Sequence, residues 1–144
     1  RFNEIEPKSI LRKGDVLTNI VGASIGRTAI FDLDADANVN QAVCVIRPNG
    51  DLIMSKYLMT LLNSSEFIQK QLGNSVENAR ANVSMGVLGS LTIPLPPLAT
   101  QRATVAEIEA ERRNGYAWHG RWGTEVLNRY QEWKRTWPSA PSKP

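Results

Sequence analysis

The stretch "TIPLPPLATQRATVAEIEAERR", Thr92–Arg113, decides how this chain is assembled. It places three prolines in four residues, Pro94, Pro96 and Pro97, just before a long charged segment. Proline has no backbone N–H and a fixed φ, and it biases the residue before it away from helix. Ile93–Pro97 therefore reads as a stiff, extended stop. Beyond it, Thr100–Arg113 reads as a helix, with Val105 and Ile108 inward and Glu107, Glu109, Glu111, Arg112 and Arg113 outward. A stiff stop fixes the angle at which that helix leaves the body. What needs the angle fixed must come from the rest of the chain.

The body lies upstream. "SILRKGDVLTNI" reads as a turn at Lys13-Gly14-Asp15 followed by a short strand. "VGASIGR" is a glycine-punctuated loop and "RTAIFDL" returns as a strand, which makes a hairpin with Gly22–Gly26 at its tip. Asp32, Asp34, Asp36 and Asn38 form a polar connection. "NQAVCVIRP" is a buried strand, stopped by Pro48 and the Asn49-Gly50 turn. Ser55–Leu72 reads as one helix, capped by Ser55 and ended by Gly73. Its apolar stripe is Tyr57, Leu58, Leu61, Leu62, Ile68 and Leu72. Residues 73–83 are a polar loop, Ser84 caps a single turn through Leu88, and "LTIPL" is a short strand. The fold class is mixed α/β: a small twisted β-sheet with packed helices, followed by a protruding C-terminal helical segment.

After Arg113 the pattern changes. Gly115, Gly120 and Gly123 weaken the helix, and a second helical segment is expected over Thr124–Trp137. All four tryptophans lie here, and Trp118, Trp122, Val126, Tyr130, Trp133 and Trp137 fall on one helical stripe. Such a stripe must be covered, either by the body or by another chain. "PSAPSKP" reads as a disordered end. The division is thus 1–97 as body, 98–137 as helical segment and 138–144 as tail.

Composition excludes several classes. A chain of 144 residues with 42% hydrophobic content suits one domain with an appendage. Its one cysteine, Cys44, reads as a buried small hydrophobe, and a disulfide framework within the chain is ruled out, which fits a reducing compartment. There is no apolar run long enough for a membrane span and no signal-peptide pattern. The chain opens on Arg1 rather than Met, so an upstream part is expected. With one histidine, His119, and one cysteine, neither a zinc site nor a Ser-His-Asp or Cys-His engine can be built. "GASIGRT" has three residues between its glycines, then Arg27 and a strand, so it is not a phosphate loop. Asp32, Asp34 and Asp36 alternate like calcium ligands but lack the glycine and distal Glu of an EF-hand loop. Charge is uneven: residues 1–111 carry 10 basic and 12 acidic side chains, residues 112–144 carry 7 and 2. A basic tail suits a polyanion or an acidic partner, or is simply a solvated face.

Two loops combine small residues with hydrogen-bonding groups. In Gly22–Arg27, glycines allow close backbone approach while Ser24 and Arg27 offer donors. Asn74–Ser84 holds Asn78, Arg80, Asn82 and Ser84. Arginine pairs well with guanine or a phosphate, and asparagine with adenine. Arg12 and Lys13 suit phosphate. Ordinary polar loops would share this composition.

"LRKGDVLTNIVGASIGRTAIF", "NVNQAVCVIRP", "SKYLMTLLNSSEF" and "ARANVSMGVLGSLTIPLPPLATQ" occur in that order. Over about residues 9–112 they resemble the target recognition domain of type I restriction–modification specificity subunits. The resemblance implies a mixed α/β reader followed by a spacer helix. That spacer packs antiparallel to a second one, as a coiled coil, and holds two readers a fixed distance apart on DNA. It implies that the proline joint sets the angle between reader and ruler. It further implies a cytoplasmic bacterial protein with double-stranded DNA as ligand and DNA methylation and restriction subunits as partners. A second specificity half-subunit or a homodimer would complete the pair. Catalysis, adenine methylation and cleavage with S-adenosylmethionine and ATP, would belong to those subunits, and this chain would need no cofactor.

The chain departs from that pattern in lacking the reader's N-terminal part and a second reader, in Thr100 where Glu is usual, and in the tryptophan-rich tail. The expected reading is a non-catalytic, sequence-specific DNA-binding module. It uses Arg27 and Arg80, supported by Ser24, Asn78, Asn82 and Ser84, with Arg12 and Lys13 on phosphate. Trp118, Trp122, Tyr130, Trp133 and Trp137 contact a protein partner. Two alternatives stand beside it: a truncated interaction protein that dimerises or binds a methyltransferase subunit without reading DNA, and the reader of a larger single-chain modification enzyme.

Overall fold

Strand alternation builds the sheet. In Val16–Asn19 (β1), Val16 and Thr18 are buried while Leu17 and Asn19 are half-buried, the period of two that covers one face. A computed structural model, which describes residues 9–73 and 83–113, pairs β1 antiparallel with Thr28–Ile30 (β2) on one side and Val43–Ile46 (β3) on the other. On the covered face Val16 lies between Ile30 and Ile46, and Thr18 between Thr28 and Cys44. The Thr18 and Thr28 hydroxyls bond each other at 2.9 Å, so neither is left unsatisfied. Cys44 is buried as expected, and that burial pushes its thiol pKa up, which keeps it inert. The expected hairpin is present, although β2 ends at Ile30 and Leu33 is exposed.

The covered face meets Ser55–Asn63 (α1), which buries Tyr57, Leu58, Leu61 and Leu62. The single helix read over 55–72 is in fact two, α1 and Ser65–Leu72 (α2). Ser64 separates them: its backbone is extended, and its side chain accepts from the Phe67 N–H to cap α2. The break re-aims the chain so that Phe67, absent from the sequence stripe, joins Ile68 in the core. Ser55 does not cap α1; Met54 holds that position. The Ser55 hydroxyl donates instead to the carbonyl of Gly14 at 2.6 Å, and Gly14 sits at φ +92°, where a β-carbon would strain the turn. Gly73 ends α2 in the left-handed conformation, and Ser84 caps Met85–Ser90 (α3) by accepting from Val87 N–H, both as read.

Leu91–Leu95 does not form the short strand expected of "LTIPL". Pro94 has no N–H to give to a ladder. The side-chain amide of Gln71 takes a strand's place, donating to the Thr92 carbonyl at 3.0 Å and accepting from its N–H at 3.2 Å. Leu98–Arg113 (α4) then starts directly after the prolines and lays Gln101, Thr104, Val105 and Ile108 inward, against α1. An exposed Lys56–Glu109 pair at 2.9 Å also links α1 and α4, a contact of the kind that adds little.

Gln101 is fully buried. Its Nε2 donates to the carbonyls of Pro96 and Leu52, both at 2.8 Å, and its Oε1 accepts from Met54 N–H at 2.9 Å. One amide therefore joins the proline stop, the start of α4 and the entry to α1. Replacing Gln101 by Ala should leave two carbonyls and one N–H without partners and cost about 2–4 kcal/mol. Gln101→Glu, which keeps the acceptor and loses the donor, should also destabilise. Urea midpoints of the two variants against the unmodified chain check this.

Candidate functional site

The β1–β2 tip is built by glycines and one asparagine. Gly22 and Gly26 both have positive φ, and Gly26 N–H donates to the Asn19 carbonyl at 2.7 Å, closing the loop. The Asn19 side chain organises what lies between. Its Nδ2 donates to Ser24 Oγ at 2.6 Å and its Oδ1 accepts from Val21 N–H at 3.2 Å. Ser24 thus accepts internally and keeps its own O–H for an outside acceptor. Val21, Gly22, Ala23 and Arg27 are exposed around the tip.

Arg27, like the exposed Arg102, differs from four of the other described cations. Lys13 is held by Asp34 at 2.9 Å and Asp32 at 4.0 Å, Arg47 by Asp15, Lys56 by Glu109, and Lys70 lies 3.9 Å from Glu66. Among the described residues the side chain of Arg27 makes no hydrogen bond or ion pair, and it stands exposed beside the tip. Val83, where the described chain resumes, lies at the same end. Val83 and Gly26 line one small gap together with Thr18, Leu62, Ile68 and Leu88, so Ser84, at the start of α3, follows directly on a residue packed against the hairpin. The Ser84 oxygen is engaged in its cap.

Arg12 and Lys13 lie beyond the other end of β1, a strand about 10 Å long. There Asp15 is almost fully buried, and Arg47 grips it through two bonds of 2.8 Å, while the Arg12 N–H donates to it at 2.7 Å. Arg47 also donates to the Ile10 carbonyl. Burial raises the Asp15 pKa, but the Arg47 and Arg12 hydrogen bonds and charges outweigh it and hold the carboxyl below the usual carboxylate range. This ion pair joins the start of β1 to the end of β3 and engages Nε and one terminal nitrogen of Arg47, whose side chain is still partly exposed.

Of the residues singled out in the sequence, the structure brings Ser24, Arg27 and the chain at Ser84 to one end and places Arg12 and Lys13 at the other. Asn78, Arg80, Asn82, Trp118, Trp122, Tyr130, Trp133 and Trp137 lie outside the described residues. Asn19 and Asn63 were not singled out. A polar residue closing a glycine turn was a signal for Asn19; Asn63 carried none, because its partner Thr28 is 35 positions away. Among the described residues, no group of His, Cys, Asp or Glu is arranged to hold a metal, and no helix is long and apolar enough to cross a membrane.

Residues 4–110 match the model of the type I restriction modification DNA specificity domain. The chain belongs to that family. It is 33% identical over 102 residues to the type I restriction enzyme EcoBI specificity subunit of Escherichia coli, a match spanning 71% of this chain and 21% of that protein. It is 27% identical over 100 residues to the HindI specificity subunit of Haemophilus influenzae, across 67% of this chain and 22% of that one. The specificity domain described here therefore spans about a fifth of the length of the curated relatives it matches.

Within this specificity domain the Asp15–Arg47 pair should show itself in acid. Asp15 has a depressed folded-state pKa, so its contribution is complete above the unfolded carboxylate value, about 3.9, and is lost as pH falls through the folded value. Asp15→Asn should be less stable at neutral pH and should lose stability less steeply below about pH 4, read from urea midpoints across pH. Arg47→Ala should cost about 1–3 kcal/mol, because it leaves a buried carboxylate with a single N–H donor.

Proposed function

We propose that this chain is a sequence-specific reader of double-stranded DNA within a type I restriction–modification specificity subunit. The observation that carries the reading is Arg27: an exposed guanidinium, unpaired among the described residues, on a glycine-built tip, in a chain of the DNA specificity family. A forked guanidinium on a narrow tip suits a groove, where it can pair with guanine or grip phosphate. Arg80, Asn78, Asn82 and Ser84 are assigned to the same interface, because the loop that carries them rejoins the chain beside Gly26. Arg12 and Lys13 remain candidates for phosphate at the far end, with Lys13 having to leave Asp34 first.

The exit helix α4 fits a spacer. Ala99, Ala103 and Ala106 lie on its exposed side, and the Gln101 lock fixes its direction relative to the reader. On this reading residues 1–97 belong to the reader, 98–137 to a spacer segment and 138–144 to a tail. Trp118, Trp122, Tyr130, Trp133 and Trp137 meet a protein partner: a methylation or restriction subunit, a second half-subunit or another copy of the chain. Chemistry belongs to those subunits, the chain itself is non-catalytic and needs no cofactor, and the complex works in the bacterial cytoplasm.

Gel shifts with random duplexes at two salt concentrations, followed by selection of bound sequences, test this. Arg27→Ala should weaken the selected duplex by about 1–3 kcal/mol and relax one position of the site. A uniform loss with a salt slope lower by about 1 would make Arg27 a phosphate contact. Lys13→Ala should weaken every duplex alike and lower the salt slope by about 1, as loss of a phosphate contact does. A chain that binds no duplex yet forms a stable dimer would point to an interaction protein instead.

A further inference from the structure

The β2 strand has β1 on one side only, so its other edge is open to whatever can fill it. What fills it at Thr28 is not a strand. Asn63, the last residue of α1, donates through Nδ2 to the Thr28 carbonyl at 2.9 Å and accepts through Oδ1 from the Thr28 N–H at 3.0 Å. One side-chain amide thus pairs with both backbone groups of the residue that follows Arg27.

The consequence falls on a single peptide unit. A peptide is planar, so fixing its C=O and its N–H fixes its plane. In the unit joining Arg27 to Thr28, the Arg27 carbonyl accepts from Asn19 N–H in β1 at 3.0 Å, and the Thr28 N–H is held by Asn63 from α1. On the other side of the arginine, Arg27 N–H donates to the Ser24 carbonyl at 3.2 Å. Both peptide planes flanking the Arg27 α-carbon are therefore fastened, and they set the direction in which its side chain leaves the backbone. The Thr28 side chain is fastened as well, through Thr18 on the buried face.

We infer that Asn63 is a positioning residue for Arg27: it fills the open edge of β2 and aims the tip guanidinium without touching the ligand. This rests on the reading of Arg27 as a DNA contact and adds the residue that sets its direction. A long side chain aimed in advance loses less freedom on binding than one on a loose tip, and it discriminates between sequences rather than gripping any phosphate.

A double-mutant cycle on the full 144-residue chain tests the inference. The probes are a duplex recovered by selection from a random pool and a scrambled duplex of the same composition. Asn63→Ala should weaken the selected duplex about five- to tenfold and the scrambled one less than about twofold. In an Arg27→Ala background the same change should cost less than about twofold on either duplex. Asn63→Asp keeps the acceptor for Thr28 N–H and loses the donor, so it should fall between, and it serves as the working variant if Asn63→Ala does not fold. Amide exchange should be faster at Thr28 in each variant that lowers discrimination. Losses that simply add, or that are equal on both duplexes, overturn the positioning role and leave Arg27 as a contact. If Arg27→Ala alone changes nothing, both the contact and its positioning fall together.

Discussion

The Gln101 amide is the constraint on which the arrangement of this molecule depends. It is fully buried and reaches three backbone groups, on Leu52, Met54 and Pro96. These belong to the segment entering α1 and to the proline stop before α4. An unpaired amide in that position would be costly, so the packed arrangement is favoured only when all three partners are in register. The prolines make the stop stiff, but stiffness alone chooses no direction. The choice comes from one side chain that bonds to both sides of the joint. Val105 and Ile108 then fall onto α1 as a result of that registration.

The same device recurs. A three-stranded sheet leaves open edges, and a chain with few strands must satisfy its backbone in other ways. Asn63 pairs with Thr28, Gln71 pairs with Thr92, and Gln101 pairs across the joint. Each is a primary amide, which carries donor and acceptor side by side as a backbone peptide does. Helices thereby reach extended segments through side chains, where a larger sheet would use another strand. The body stays small while its tip and exit remain fixed.

Charge is arranged by a similar economy. Asp15, Asp34, Glu109 and Glu66 each stand near a cation, so much of the described surface is locally neutralised. Arg27 is left out of this pairing at the one place where glycines thin the chain to a tip. For a polyanionic ligand, the strongest unscreened pull among such sites comes from a cation that need not first leave a carboxylate. The position of Arg27, more than the overall charge of the body, is why that end is the one proposed to face DNA.

Much of this was legible in the residues. The hairpin, the buried Cys44 strand, the Ser84 cap and the Gly73 stop are local: each follows from backbone preferences within a few neighbours. The order of four segments ending in the proline joint was enough to indicate the family. Where the reading went astray, a distant partner decided. Periodicity continued through Ser64 because apolar spacing cannot register a cap that must turn Phe67 into the core. "LTIPL" looked like a strand because nothing local shows that Gln71 would take a strand's place. Lys13 looked free because Asp34 is 21 positions away.

The sequence by itself determined the hairpin, the buried Cys44 strand, the order of the segments and the stiffness of the joint, since these are properties of φ preferences and side-chain spacing. Only the tertiary structure decided the direction of α4, the sorting of cations into paired and unpaired, and the meeting of Val83 with the hairpin. Those outcomes depend on hydrogen bonds and ion pairs between residues far apart in the chain, whose strength depends on burial that no local window contains.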